Sequence, residues 1–192
     1  MLICYMPIKL PFTEKFLWDL HKFICATEGM LEFFVPDRPY HFRGPEEMTL
    51  AKIKVFRSNW EFDYKKRKKD FGKIIYNLKQ SGYLKTLKTK DESAIILTSK
   101  GIEKIFTIKM KLTEKKQRPD KKWQMVLFDI PEKKRRQRNL FRRNLQYLGY
   151  KKLQRSIWVC PYDVKEETKD LIRRYRLEPC VELLLVKKIG LD

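Results

Sequence analysis

The sequence predicts an α+β chain with two domains, each containing its own helices and short strands. Helical periodicity dominates residues 13–82, and two short strand-like runs follow over residues 83–98. A second alternation of strands and helices begins at Trp123. The 192 residues, of which 43% are apolar and 13% aromatic, are sufficient for one or two small hydrophobic cores.

Two helices are predicted at the start of the chain. Thr13 is a suitable N-cap for the first helix, and Gly29 is a suitable end. Residues 46–57 form the second predicted helix, because Pro45 precedes apolar residues at helical spacing.

The third predicted helix is strongly basic. Asp63 is expected to cap a helix that runs through Tyr64–Gln80 and stops at Gly82. Its apolar stripe is flanked by the cations Lys65, Lys66, Arg67, Lys68, Lys69, Lys73 and Lys79.

A β-hairpin follows the basic helix. Tyr83–Thr89 and Ala94–Thr98 read as short strands, and a further helix begins after Thr98. Helices, a basic helix, a hairpin and a closing helix describe a winged helix-turn-helix over residues 1–112.

The winged helix predicts how this domain would bind DNA. Asn77 and Gln80 suit adenine, whereas Lys73 and Arg67 suit guanine. The remaining lysines are expected to contact phosphates, which gives affinity without sequence choice. The alternative is a solvated charged helix on a small α+β domain.

Residues 113–122 are rich in lysine, contain Pro119 and have no apolar period, which favours a basic linker. The next segment, Trp123–Asp129, reads as a strand that Pro131 stops. Alternation makes both faces of this strand apolar. Helices would cover one face, and a second layer such as a partner subunit would cover the other.

The remaining chain predicts a helix over Glu132–Leu148 and two strand pieces within Tyr150–Cys160, bent near Arg155. A near capping box at Asp163 starts another helix, and Cys180–Ile189 is the last strand. The order strand, helix, strand, strand, helix, strand predicts a ferredoxin-like domain over residues 123–192.

The net charge predicts the partner. Forty-four Lys and Arg against 24 Asp and Glu give +20, an excess usually tied to a polyanion such as nucleic acid. Cations at the start of the helix after Asp129 oppose the helix dipole, so they favour binding over helix stability. The predicted nucleic-acid-binding residues are Lys65, Lys66, Arg67, Lys68, Lys69, Lys73, Asn77, Lys85, Lys88, Lys90, Arg135 and Arg136.

Other features concern compartment and cofactors. No apolar run reaches the ~18 residues of a membrane span, and the first residues do not resemble a signal peptide. The four cysteines have no paired spacing, so we expect a cytoplasmic protein without disulfides or a zinc site.

Several motifs resemble one family. Phe128–Glu132, the Arg-rich helix, Leu148–Tyr150 and Leu153–Pro161 resemble the central domain of the PaaX-type transcriptional repressors. That domain is itself similar to the small CRISPR-associated endonuclease that partners the spacer integrase. The resemblance implies a dimeric, DNA-binding transcriptional regulator. Full-length PaaX repressors have a further C-terminal region, and this sequence ends at Asp192, so the resemblance does not lead us to expect an acyl-CoA effector.

Asp129 raises an alternative function. The related nucleases place a metal-binding aspartate at the end of the first strand, and Asp129 matches that position. A single carboxylate is a poor magnesium site unless a dimer mate supplies another. We therefore expect no cofactor, with Mg²⁺ only in a nuclease or a CRISPR-adaptation-type subunit. A further alternative is a protein that binds nucleic acid without reading sequence.

Overall fold

A computed structural model describes residues 10–32, 47–64, 68–88 and 93–187. The chain divides into two compact units, Met1–Ile108 and Lys109–Asp192, called here the N-terminal and C-terminal units. Helices and antiparallel sheets occur in both, so the predicted α+β class is confirmed.

The N-terminal unit places a small sheet among helices. Its described elements are α1 Phe12–Glu32, β1 Glu47–Thr49, α2 Leu50–Tyr64, α3 Lys68–Gln80, β2 Leu84–Lys88, β3 Ser93–Leu97 and α4 Ser99–Leu112, which ends beyond the unit boundary. The strand order is β1-β3-β2, with both pairs antiparallel. The predicted hairpin is therefore confirmed, and β2 is an edge strand.

Four aromatic rings form the centre of this unit. Phe16 of α1 packs edge-on against Phe56 and Trp60 of α2, with ring centroids 5.6 and 5.5 Å apart. Phe71 of α3 lies 5.7 Å from Phe16 and 5.6 Å from Trp60. All four side chains are buried. Burying rings of this size stabilises the contact of the three helices and fixes which face of α3 points inward.

The predicted starts of the second and third helices are wrong. The predicted bounds of the first helix are also wrong, because α1 begins at Phe12, before Thr13, and continues past Gly29 to Glu32. The second helix does not begin at residue 46, because Glu47–Thr49 pairs with β3 as the edge strand β1. Asp63 is not the cap of the basic helix, because it lies in the last turn of α2, and α3 begins at Lys68. At the start of the second predicted helix, pairing with a distant strand outweighs the local helical pattern.

The end of α3 is as predicted. Gly82 has φ +70°, and its amide donates to the carbonyl of Lys79. The Tyr83 amide donates to the carbonyl of Leu78, which completes a Schellman motif. Thr98 caps α4 as expected, because its hydroxyl accepts from the Gly101 amide at 3.1 Å.

The C-terminal unit has the predicted order of elements. They are β4 Trp123–Phe128, α5 Arg135–Tyr147, β5 Lys151–Gln154, β6 Ile157–Cys160, α6 Lys165–Arg174 and β7 Val181–Val186. A short 3₁₀ turn at Glu132–Lys134 leads into α5. The strands form one antiparallel sheet in the order β5-β6-β4-β7, in which β5 and β6 are a local hairpin and β4 pairs with two strands that are distant in sequence, β6 and β7.

One face of this sheet is closed by helices. Val126 and Phe128 are buried, and the Phe128 ring meets Phe141 of α5 edge-on at 5.5 Å. The opposite face is only partly covered. Met125 and Leu127 on it are half-buried, and their neighbour Leu184 on β7 is 43% exposed.

Within the C-terminal unit, the segment before β4 is bound to the loop between β6 and α6. The Arg118 amide donates to the carbonyl of Pro161, and the Asp163 amide donates to that of Lys116. The Arg118 guanidinium donates to Asp120 at 2.9 Å and to Asp163 at 2.7 Å. The predicted role of residues 113–122 as a linker between domains stays a prediction.

The near capping box at Asp163 is wrong. Val164 occupies the N-cap position of α6 without a side-chain cap. The Asp163 carboxylate instead accepts from Arg118, because a charged donor is a stronger partner than a helix amide.

No described helix has both the length and the apolar character needed to cross a membrane.

Candidate nucleic-acid interface

Four polar side chains share the outward face of α3. They are Lys73, Tyr76, Asn77 and Gln80, which are exposed and spaced i, i+3, i+4 and i+7. Tyr76 is 61% exposed. The opposite face of the helix carries the buried residues Phe71, Ile75 and Leu78. Because burial of these three fixes the rotation of α3, the four polar residues, called here the outer face of α3, must point to solvent.

The predicted nucleic-acid-binding residues of this unit lie at different places in the structure. Lys73 and Asn77 lie together on the outer face of α3, and Lys85 is exposed on the edge strand β2. Lys68 and Lys69 belong to the first turn of α3, and Lys88 ends β2. The remaining predicted residues, Lys65, Lys66, Arg67 and Lys90, lie outside the described residues.

Tyr76 is a candidate contact that sequence reasoning missed. It lies three residues after Lys73 and next to Asn77, so helical spacing alone places it on the same face. An exposed phenol offers a hydroxyl that donates and accepts, together with a flat apolar ring. This combination suits a base edge, a thymine methyl group or a sugar.

A second basic surface occurs on α5 in the C-terminal unit. Residues 132–147 contain seven Lys or Arg and one carboxylate, Glu132. Three of these cations bind the unit itself. Lys134 donates to the carbonyl of Arg176 at 2.7 Å, Arg138 to that of Ile130 at 3.0 Å, and Arg142 to that of Arg155 at 3.0 Å.

The environment of these anchoring cations is strongly positive. Burial, together with the nearby charges of Arg138 and Arg155, lowers the pKa of Arg142. The Arg142 guanidinium also lies 5.4 Å from the centre of the Phe128 ring, a cation–π contact. A hydrogen bond from Arg138 lowers the pKa of Glu132, which is the one carboxylate of this segment.

The other side of α5 faces solvent. Arg135, Arg136, Asn139, Leu140 and Arg143 line a shallow surface groove, and these residues are called here the outer face of α5. Both arginines predicted from the sequence, Arg135 and Arg136, belong to it. The Nε atom of Arg135 lies 3.7 Å from the Oε1 atom of Glu132. Arg143 was not predicted, although it is seven residues after Arg136 and so shares its face.

Asp129 lies exposed just after β4. Its amide donates to the carbonyl of Cys180 at 3.0 Å, and its carboxylate has no hydrogen bond or ion pair within the described residues. Nowhere in the described part of the chain do three His, Cys, Asp or Glu side chains come together as a metal site. The nuclease hypothesis stays a prediction, tested by incubating DNA with Mg²⁺ and comparing wild type with Asp129→Asn.

Residues 116–192 match the family model described as the PaaX protein central Cas2-like domain. This match covers most of the C-terminal unit, which is therefore similar to the PaaX central Cas2-like domain. The resemblance to the PaaX-type family, predicted from the motifs between Phe128 and Pro161, is thereby confirmed. No curated protein matches the chain.

Proposed function

We propose that this PaaX-type protein is a transcriptional regulator, of the repressor kind, that reads duplex DNA with the N-terminal unit. The observation that supports the proposal is the outer face of α3, where an amide, a second amide, an amine and a phenol share one exposed surface. The +20 net charge of the chain supports a polyanionic partner.

The chemistry of the outer face of α3 suits base edges in the major groove. That groove is ~12 Å wide and admits an α-helix. Asn77 and Gln80 have the donor and acceptor pair that adenine requires, and Lys73 suits guanine. A good bidentate contact discriminates against the wrong base by about 1–3 kcal/mol. Lys85 on the edge strand β2 supplies a cation for an adjacent phosphate.

The test is fluorescence anisotropy with DNA from upstream of the protein's own gene and with a scrambled duplex, at several salt concentrations. We expect the wild type to prefer the upstream DNA. Asn77→Ala should reduce that preference by about 5- to 150-fold, which corresponds to 1–3 kcal/mol. Binding to the scrambled duplex should change little, because its phosphate contacts remain.

Asn59→Ala is the matched control. Asn59 is also an exposed asparagine on a helix of the N-terminal unit, but it belongs to α2. It should leave the preference unchanged. The proposal fails if the wild type binds both duplexes equally, because the protein would then bind nucleic acid without reading its sequence. Equal effects of the two substitutions would show that α3 is not the reading element.

We also propose that the regulator is a dimer formed through the open sheet face of the C-terminal unit. The support is the partly covered apolar surface around Met125 and Leu127 and the exposed Leu184. A second copy of the same face would remove these side chains from water. Symmetric dimers of this kind bind two half-sites of an operator.

Light scattering after size exclusion tests the dimer. We expect a dimer for the wild type and a shift to monomer for Leu184→Glu, because the new carboxylate would be buried without a partner. Lys152→Glu, an exposed change on β5, serves as the control and should stay dimeric. A wild-type monomer at micromolar concentration would exclude this dimer.

A further inference from the structure

We propose that the outer face of α5 is a second DNA contact, which holds the phosphodiester backbone through Arg136 and Arg143. The inference rests on the proposed binding of duplex DNA, but it concerns the C-terminal unit and not the helix that reads sequence. It assigns the PaaX central Cas2-like domain a direct part in binding.

The first step separates two classes of cation on α5. Lys134, Arg138 and Arg142 recur every four residues along one flank, and each donates to a backbone carbonyl of the C-terminal unit. Only 13% of the Arg138 side chain is exposed. These three cations are used by the fold and are poorly placed to bind a ligand.

The second step concerns two of the four cations that remain in residues 132–147. Arg136 and Arg143 are exposed, and neither forms an ion pair within the described residues. They are separated by seven residues, or about 10.5 Å along the helix axis at a rise of 1.5 Å per residue. Phosphates of one DNA strand are spaced about 3.4 Å along the duplex axis, so the two guanidinium groups span about three steps.

The third step is energetic. Cations in the first turn of α5 oppose its dipole, and seven cations within 16 residues repel one another. Burial, followed by the charges of Arg138 on the same helix and of Arg155 outside it, lowers the pKa of Arg142. A polyanion on the outer face would remove this repulsion, which gives the crowded arginines a physical role that helix stability does not.

The composition of the face favours DNA over an acidic protein. Protein interfaces have an apolar or aromatic centre. Among the residues lining the groove, Leu140 is the one apolar side chain, and it is only half-buried. Two exposed guanidinium groups with Asn139 between them instead match phosphate oxygens, to which arginine can donate two parallel hydrogen bonds.

The experiment compares the wild-type protein with the Arg136→Gln/Arg143→Gln variant on a 40-base-pair duplex over a range of KCl concentrations. Each phosphate contact contributes about 0.9 to the magnitude of the slope of log affinity against log salt concentration. The slope of the double variant should therefore be smaller in magnitude by about 1.8. Its deficit in affinity relative to wild type should therefore shrink by about 12-fold between 50 and 200 mM KCl. Preference for the upstream DNA over the scrambled duplex should not change.

Lys151→Gln/Lys152→Gln is the control with the same loss of charge, on two exposed lysines of β5. It should lower the slope by much less. Circular dichroism of all variants checks that they are folded. Equal slopes for the wild type and the arginine variant, with DNA binding intact, would overturn this inference and leave the proposed function standing.

Two further results would also overturn the inference. A wild type that ignores duplex DNA would overturn it together with the proposed function. If the arginine variant instead loses binding to polyglutamate while the salt dependence of its DNA binding stays unchanged, the outer face of α5 binds an acidic polypeptide and not DNA.

Discussion

Arg138 and Arg136 belong to the same helix, but the same substitution should destabilise the protein at Arg138 and have little effect at Arg136. Arg138→Met and Arg136→Met each remove one positive charge and keep an unbranched side chain with high helix propensity. The guanidinium of Arg138 donates to the Ile130 carbonyl and to Glu132, whereas Arg136 is exposed and unpaired within the described residues. The two variants therefore separate the hydrogen bonds from the general effect of lowering the charge.

The magnitude follows from the two bonds of Arg138. A hydrogen bond to a charged donor contributes about 1.5–3 kcal/mol, and its loss leaves the carbonyl of the buried Ile130 without this donor. The pair with Glu132 adds little, because Glu132 is 70% exposed and its charge is screened by solvent. We expect Arg138→Met to lower the free energy of unfolding of the C-terminal unit by about 2–3 kcal/mol. Arg136→Met should change it by less than about 0.5 kcal/mol.

Hydrogen exchange of the amides of β4 and α5 is the appropriate assay. A melting curve of the whole chain would combine the unfolding of two units, whereas exchange reports the opening of one. A loss of 2–3 kcal/mol corresponds to exchange about 30- to 150-fold faster for Arg138→Met. If both variants exchange at the wild-type rate, or both are accelerated equally, the division of the α5 cations into anchoring and outward-facing classes is wrong.

Three further changes test other parts of the C-terminal unit. Gly149→Ala should destabilise it by about 1–3 kcal/mol, because φ of Gly149 is +90° and the new methyl group would lie 2.7 Å from the Tyr162 ring. Urea unfolding measures the change, and an unchanged midpoint would contradict this prediction. Burial raises the pKa of Cys160 to about 11, so its thiol should react slowly with Ellman's reagent at pH 8. Cys160→Ala should therefore leave the number of rapidly reacting thiols unchanged, and the loss of one such thiol would refute this prediction. The hydrogen bond from Arg118, followed by one from a backbone amide, lowers the pKa of Asp120 from 3.8 to about 2. A carboxyl pKa that is lower in the folded than in the unfolded protein stabilises the fold at pH values above the unfolded pKa, and this stabilisation is lost as the pH falls through the folded pKa. The difference in free energy of unfolding between wild type and Asp120→Asn should therefore decrease towards zero as the pH falls from 4 to 2. A constant difference would count against the Arg118–Asp120 pair.

The sequence was informative wherever structure depends on neighbours along the chain. Gly82 and Gly149 end their helices in the left-handed conformation that glycine permits, and Thr98 caps α4. Alternating burial in β4 and the bend before Ile157 follow from periodicity and turn residues. These features depend on spacing and backbone preference, which a single sequence displays.

The errors occurred where a distant partner competes with a local signal. Glu47–Thr49 has helical neighbours, but it becomes β1 because β3, more than 40 residues away, offers backbone hydrogen bonds. Asp163 resembles a cap, yet Arg118 binds its carboxylate. Local propensities are worth tenths of a kcal/mol, and a tertiary contact readily exceeds them.

By itself, the sequence determined that this protein is a basic α+β chain, that its helices and strands follow one another in the observed order within the C-terminal unit, and that its second half resembles the PaaX family. Only the tertiary structure decided which cations hold the fold and which face solvent. In the sequence, no local signal separates Lys134, Arg138 and Arg142 from the cations Arg136 and Arg143 on the same helix. They differ because the carbonyls that bind the first three come from other parts of the C-terminal unit, brought to one flank of α5 by folding.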